Sequence, residues 1–280
     1  MAIYELPSGR LLRTIMHRAA VSAVAFASTG HDLVSGAVDG SVLVTRDGRE
    51  PITMSTSPFG IDVAGFLTDG RVVAVDATRR MHVFEADADD QRRRNLLAEV
   101  EVPTRVGLLR PSQDGLRLIT VPSYTGNTAP AVLWDLEHYH IIAKLEGNAG
   151  QVLSAQFTAS DRAILTTGNE GIVRLWDGAT GAPRQTYRAN SRFFADTTLS
   201  PDGSLVVAGD ADGMLRFWDA SSGRPLWTLL AHKSPLIGIH FEGDLVTRGF
   251  AGDISRWTLP NPERVIEACA DHEACGIVSK

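Results

Sequence analysis

Cysteine is almost missing from this chain: two residues in 280, Cys269 and Cys275, both within the last dozen. A small secreted domain held together by a disulfide framework is therefore not expected. Long apolar runs are missing as well. No stretch approaches the roughly 18 consecutive apolar residues of a membrane-spanning helix. The segment Met1–Thr14 lacks the basic head and apolar run of a secretory leader. Nor is there a surplus of positive charge. The 27 Lys and Arg stand against 33 Asp and Glu, a formal net charge of −6, whereas surfaces built for nucleic acid are ordinarily basic. These absences lead us to expect a cytoplasmic chain with neither a membrane nor a nucleic acid as partner.

Catalytic signatures are absent too. HExxH, the phosphate-cradling GxxxxGK and the nucleophile motif GxSxG do not occur. The nearest approach to a metal motif is Cys269-x2-His272-x2-Cys275, three potential ligands without a fourth. Free thiols are the preferred reading there; a disulfide and a metal site are the alternatives.

What the chain does have is an internal repeat. Phe157–Trp176 aligns with Leu199–Trp218, and Phe26–Thr45 has the same length. The position that closes each unit recurs at Tyr4, Thr45, Phe84, Trp134, Trp176, Trp218 and Trp257, with spacings of 41, 39, 50, 42, 42 and 39. A period near 40–45 residues suits a unit of four short strands. Each unit opens with an apolar run such as Val21–Phe26, read as strand a and suited to burial between neighbouring units. An Asp-Gly turn follows, as at Asp69-Gly70, Asp114-Gly115 and Asp202-Gly203, where glycine tolerates positive φ. Strand b comes next, then a second tight turn at Asp39-Gly40, Glu170-Gly171 or Asp212-Gly213. Strand c alternates with period two and ends on the aromatic, as in Val173-Arg-Leu-Trp176. Strand d completes the unit, as in Pro225–Leu230. One such sheet cannot bury both faces alone; stacking copies solves that and protects the edges.

These residues resemble the WD-repeat family. The dipeptide that marks it stands at Trp134-Asp135, Trp176-Asp177 and Trp218-Asp219, with weaker echoes at Tyr4-Glu5 and Phe84-Glu85. The resemblance implies an all-β fold, a β-propeller of four-stranded antiparallel blades, in one domain over 1–280. Residues 16–260 hold six repeats, 1–15 supply strands c and d of a closing blade, and 261–280 hold the last outer strand and a tail. Seven blades, the last built from both termini and lacking an obvious strand b, are favoured over six. In the family a histidine before strand a, a Ser or Thr on strand b, an Asp in the b–c turn and the strand-c Trp share a hydrogen-bonded network. Only partial sets carry over: His17, Ser35 and Asp39 with Thr45 in place of Trp; Asp212 and Trp218 with Asn190 near the histidine position; and His232, Asp253 and Trp257. With Trp134, Asp135, Trp176, Asp177 and Asp219, these residues are read as scaffold.

The family's geometry also places b–c turns and d–a connections on one face, called the top. Loops there carry Arg18, Phe59, Arg105, Tyr124, Arg192, Phe193 and Lys233, residue types that anchor protein interfaces. Tyr124 lies in an insertion, Pro122–Pro130. The charged run from Glu85 through Arg94 is read as a solvated c–d connection. The expected function is a non-catalytic, monomeric scaffold that binds a protein or peptide through these top-face loops, without cofactor, as the C-terminal part of a larger regulatory protein. The alternatives are a propeller enzyme of the metal-dependent hydrolase or lactonase kind, and a small-ligand sensor in the central channel. Against an enzyme stand the mainly apolar a strands, His240 being the exception.

Overall fold

Short runs of β-branched residues between Gly-containing turns leave the backbone no better option than to pair with its sequence neighbours. The computed structural model describes residues 1–5, 8–27, 31–46, 49–85, 96–123, 128–189 and 193–259. Every element in it is a strand. The first, β1 (Ala2–Tyr4), pairs antiparallel with β2 (Leu11–Thr14). Six further sheets follow in chain order. The first is β3 (Val21–Phe26), β4 (Leu33–Ala37), β5 (Ser41–Thr45) and β6 (Ile52–Thr56). The second is β7 (Ile61–Phe66), β8 (Val72–Asp76), β9 (Arg80–Phe84) and β10 (Leu96–Glu101). The third is β11 (Val106–Pro111), β12 (Arg117–Pro122), β13 (Ala131–Asp135) and β14 (His140–Leu145). The fourth is β15 (Val152–Phe157), β16 (Ala163–Gly168), β17 (Ile172–Asp177) and β18 (Pro183–Arg188). The fifth is β19 (Phe194–Leu199), β20 (Leu205–Asp210), β21 (Met214–Asp219) and β22 (Pro225–Leu230). The sixth has β23 (Leu236–Glu242), β24 (Asp244–Gly249) and β25 (Ile254–Trp257). The first five are meanders of the a-b-c-d kind, the blade of a β-propeller, and the sixth shows a, b and c among the described residues. The strands expected near 265–270 and 275–278 lie outside the described residues, as do Cys269, His272 and Cys275 and most of the charged run after Glu85.

The chain forms two compact units. One comprises Met1–Ser123 with Asp135–His140; the other comprises the described residues within Tyr124–Trp134 and Ile141–Lys280. Each unit holds its core between successive sheets. In the first, Val34, Val42 and Val44 meet Ile61, Ala64, Val72 and Phe84. In the second, alternate residues of β20 face opposite ways, as a strand's period of two requires. Val206 and Ala208 pack with Leu165, Val173 and Tyr187 of the preceding sheet, while Val207 packs with Leu236, Ile239 and Trp257 of the following one. Trp218 stacks edge-on to Phe194 at 5.8 Å and tilted to Tyr187 at 6.1 Å, worth about 0.5–1.5 kcal/mol per aromatic pair beyond the area buried.

One expectation is corrected. Strand a is not sealed on both sides. β3 alternates between buried and exposed residues, with Val24 and Phe26 open to solvent. Strand b is the sealed element: β4, β8, β16 and β20 are buried at every residue. The reason is position. Strand b has a hydrogen-bonded neighbour on each edge, and β20 packs against a sheet on each face, whereas β3, β7 and β11 line a cleft of about 460 Å³. All six a strands also carry a bulge one residue after their start, at Ser22, Asp62, Gly107, Leu153, Ala195 and Ile237. A bulge adds a residue to one strand and increases its twist.

Candidate interaction surface

Backbone bonds fix one edge of each sheet. The first residue after strand b donates its N–H to the carbonyl just before strand a: Val38 to Ala20 at 3.0 Å, Ala77 to Gly60 at 2.8 Å, Ser123 to Arg105 at 2.9 Å, Asn169 to Gln151 at 3.2 Å, Phe250 to Pro235 at 2.8 Å. The residue leaving strand d bonds the same turn, as in Ser57 to Gly40 at 3.1 Å and Ala231 to Gly213 at 3.0 Å. The b–c turns and d–a connections therefore share an edge, as expected, and are held there without recourse to side chains.

Side-chain networks sit beneath this edge. His232 is buried. Its Nε2 is 2.8 Å from Thr247 Oγ1, its Nδ1 meets Asp253, and Trp257 Nε1 donates to the same Thr247 oxygen at 2.9 Å. The set is complete; Thr247 is the member that the sequence reading did not single out. Asp253 is held below the usual carboxylate range by its bond to His232. In the first sheet His17 Nε2 reaches Ser35 Oγ at 2.8 Å, but its Nδ1 reaches Ser41 Oγ at 3.1 Å, and Ser41 in turn donates to Asp39 at 2.7 Å. Ser41 thus relays a bond expected to run directly from His17 to Asp39. Burial lowers the His17 pKa, which favours the neutral ring. Thr45, standing where Trp is usual, is buried with a hydroxyl that finds no partner. Trp176 Nε1 donates to Thr166 Oγ1 at 2.9 Å and Trp218 Nε1 to the Arg188 carbonyl at 3.2 Å; Trp134 is fully buried. In the fifth sheet the turn is ordered by Asp210, not by Asp212. Asp212 is exposed, while buried Asp210 accepts from the Asp212 and Met214 amides at 3.0 Å each and from Arg216 at 3.1 Å. Two residues earlier in the chain, a carboxylate at the end of strand b lies inside the turn instead of at its tip.

The rim residues fare differently. In the first unit Arg18 is exposed and Phe59 is 49 % exposed. Arg105, by contrast, is clamped: its guanidinium grips both oxygens of Asp62, with Nε to Oδ2 at 2.9 Å. It links neighbouring sheets and remains exposed, its side chain 54 % open to solvent. In the second unit Lys233 is exposed and lines a cleft of about 510 Å³ with His232, Ser234, Ala251 and Asp253, whereas Phe193 is half-buried and engaged. Tyr124, Arg192 and Asn190 lie outside the described residues. Two rim residues escaped the sequence reading. Val38 is 56 % exposed and Phe250 is 75 % exposed. Both occupy the first turn position after strand b, where Asn169 stands in another repeat. An apolar residue at a turn tip was the available signal.

The carboxylates of the Trp-Asp pairs serve the opposite edge. Asp177 Oδ1 accepts from the Ala179 and Thr180 amides at 3.0 and 2.8 Å and from the Thr180 hydroxyl at 2.9 Å, and Arg184 meets Oδ2 at 2.5 Å. These bonds, led by those from Thr180, hold its pKa at about 2. Asp219 caps Ser221 and Ser222 in the same way, and Asp135 caps Glu137 and His138. Their scaffold role follows from these turns.

Acidic groups on the a strands are likewise engaged. Asp62 holds Arg105, and Asp196 accepts from the Ile239 amide at 3.0 Å and the Ser154 hydroxyl at 3.1 Å.

Comparison with known proteins agrees with this architecture. Residues 9–45 match the family model described as WD domain, G-beta repeat. Residues 123–251 match the model described as Outer membrane protein assembly factor BamB. Autophagy-related protein 16 of Arabidopsis thaliana is 27 % identical over 133 residues, covering 45 % of this chain and 26 % of that protein. A WD repeat-containing protein WDS homolog of the same plant is 28 % identical over 106 residues, covering 36 % of this chain and 20 % of that protein. The aligned part thus spans about a quarter or less of either relative.

Proposed function

From the premise that the chain is a WD-repeat β-propeller protein, we propose that it is a non-catalytic scaffold that holds a protein or peptide on the edge carrying the b–c turns and d–a connections. The observation that carries this reading is the pairing of rigid backbone with exposed anchors. Val38, Phe59 and Phe250 present apolar surface on loops tied down by main-chain bonds, so little conformational entropy is lost when they are covered. Each unit also carries an exposed cation on a d–a connection, Arg18 between β2 and β3 in the first and Lys233 between β22 and β23 in the second, which suits a segment bearing apolar side chains and carboxylates. A cytoplasmic location is part of the same proposal.

The test is affinity capture with the full chain as bait, followed by quantitative mass spectrometry. Phe59→Ala, Phe250→Ala and Lys233→Glu are compared with Leu116→Ala, a change to a residue that is 54 % exposed in an a–b turn. Loss of about tenfold or more of a shared set of partners is expected with at least one rim variant and not with Leu116→Ala, since central aromatic anchors each contribute about 2 kcal/mol or more. Equal capture by all four variants would overturn the proposal.

A further inference from the structure

The turn after β13 departs from its two counterparts. After Trp176 and after Trp218 the chain runs Asp-x-x-Thr/Ser-Gly, with Gly181 and Gly223 at φ of 70° and 74°. After Trp134 it runs Asp135-Leu-Glu-His138-Tyr139-His140. Tyr139 adopts the left-handed conformation, φ 56°, in the place of glycine. That conformation is unfavourable for a residue with a bulky side chain, and it sets the histidines on either side of the strained residue.

The carboxylate is used differently as well. Both Asp135 and Asp177 spend Oδ1 on turn amides. The Oδ2 of Asp177 meets the Arg184 guanidinium. The Oδ2 of Asp135 meets imidazoles instead: His138 Nδ1 at 3.3 Å and His140 Nδ1 at 3.9 Å. Nitrogen and oxygen donors of the three residues all lie within 4.8 Å of one another. Around a zinc-like ion with bonds of about 2.0–2.1 Å, neighbouring tetrahedral ligands are about 3.3 Å apart, so small ring rotations bring the set into range.

The turn is also braced. Arg71, itself held by Asp69 at 2.7 Å, donates to the Leu136 carbonyl at 3.0 Å, the Gly115 carbonyl at 3.1 Å and the Tyr139 hydroxyl at 3.2 Å. The donor set therefore stands on a supported backbone, with both imidazoles facing solvent.

We propose that Asp135, His138 and His140 form a binding site for one divalent transition-metal cation of the zinc, nickel or copper class. Two imidazoles with one carboxylate select those ions over magnesium and calcium, which take all-oxygen shells. Three protein ligands leave at least one coordination position open to water or to a donor group from a partner.

The probe is zinc chloride alone, titrated calorimetrically into the metal-free full chain, with the imidazole proton signals followed by NMR. One equivalent is expected to bind, shifting the resonances of His138 and His140. The double variant His138→Gln/His140→Gln is expected to weaken that equivalent at least about tenfold. Its fold should hold, because the two side chains are 67 % and 59 % exposed, and its melting curve checks this. Cys269→Ser/Cys275→Ser is expected to retain the equivalent. Absence of binding, unchanged affinity in the histidine variant, or loss confined to the cysteine variant would each overturn the proposal.

Discussion

Thr45 and Thr247 occupy different stations of one motif, and the difference decides what each is worth. Thr247 serves three groups: it accepts from the Trp257 indole and meets His232 Nε2, and it donates to the Ser255 carbonyl at 3.4 Å. Thr45 serves none and is buried regardless. Removing one partner of a buried polar group strands the others, at about 1–3 kcal/mol, whereas replacing an unpaired hydroxyl with a methyl of the same shape is neutral or favourable. Thr247→Val is therefore expected to lower the melting temperature by several degrees and Thr45→Val to leave it unchanged or raise it; calorimetry on the two variants checks both. Legibility differed in the same way. His232, Asp253 and Trp257 could be read from spacing because each kept its usual residue type. The Ser41 relay could not, because in the first sheet the carboxylate stands two residues earlier, at Asp39, and a serine occupies the position four before the strand-c residue that Asp253 holds before Trp257. Asp210 was hidden because a nearer Asp, at 212, matched the expected offset.

Among the elements, strand order and turn positions were the most legible part. Alternation ending at Trp176 and Trp218, bounded by Asp-Gly turns, leaves few choices of register. The a-strand bulges were not legible. Val21-Ser-Ala-Val-Ala-Phe26 alternates small and apolar residues so weakly that slipping one residue changes little in the pattern. The exposure of one side of strand a was missed for a related reason: apolar content identifies a strand but not which neighbours cover it. Close approach between strands gives a sharper test. A Cβ on Gly168, at the end of β16, would lie 2.1 Å from the backbone oxygen of Gln151, whereas one on Gly203, in the a–b turn at φ 77°, would meet nothing within 4 Å. Gly203→Ala should cost only the backbone strain, about 1–2 kcal/mol. Gly168→Ala must displace main chain and should cost more, about 3 kcal/mol or above. Denaturant melts that rank the two in reverse would contradict the packing of strand a on strand b.

For the whole molecule, the repeat explains why the chain folds and says less about what it binds. A four-stranded sheet with two apolar faces is stable only beside another, and β20, buried at every residue and shared between two cores, shows that logic within one unit. Function has to come from the loops. There the sequence placed Arg18, Phe59, Arg105 and Lys233 on exposed loops, gave no sign that Arg105 pairs with a carboxylate 43 residues earlier, and passed over Phe250.

Amide hydrogen exchange, measured by mass spectrometry on the full chain with and without its captured partner, tests the interaction edge most directly. Slowed exchange on binding is expected at 38–40 and 57–60 in the first unit or at 250–253 in the second, with turns 136–139, 179–182 and 221–224 unchanged. Protection that appears at the latter turns instead, or at neither set, would contradict the proposal.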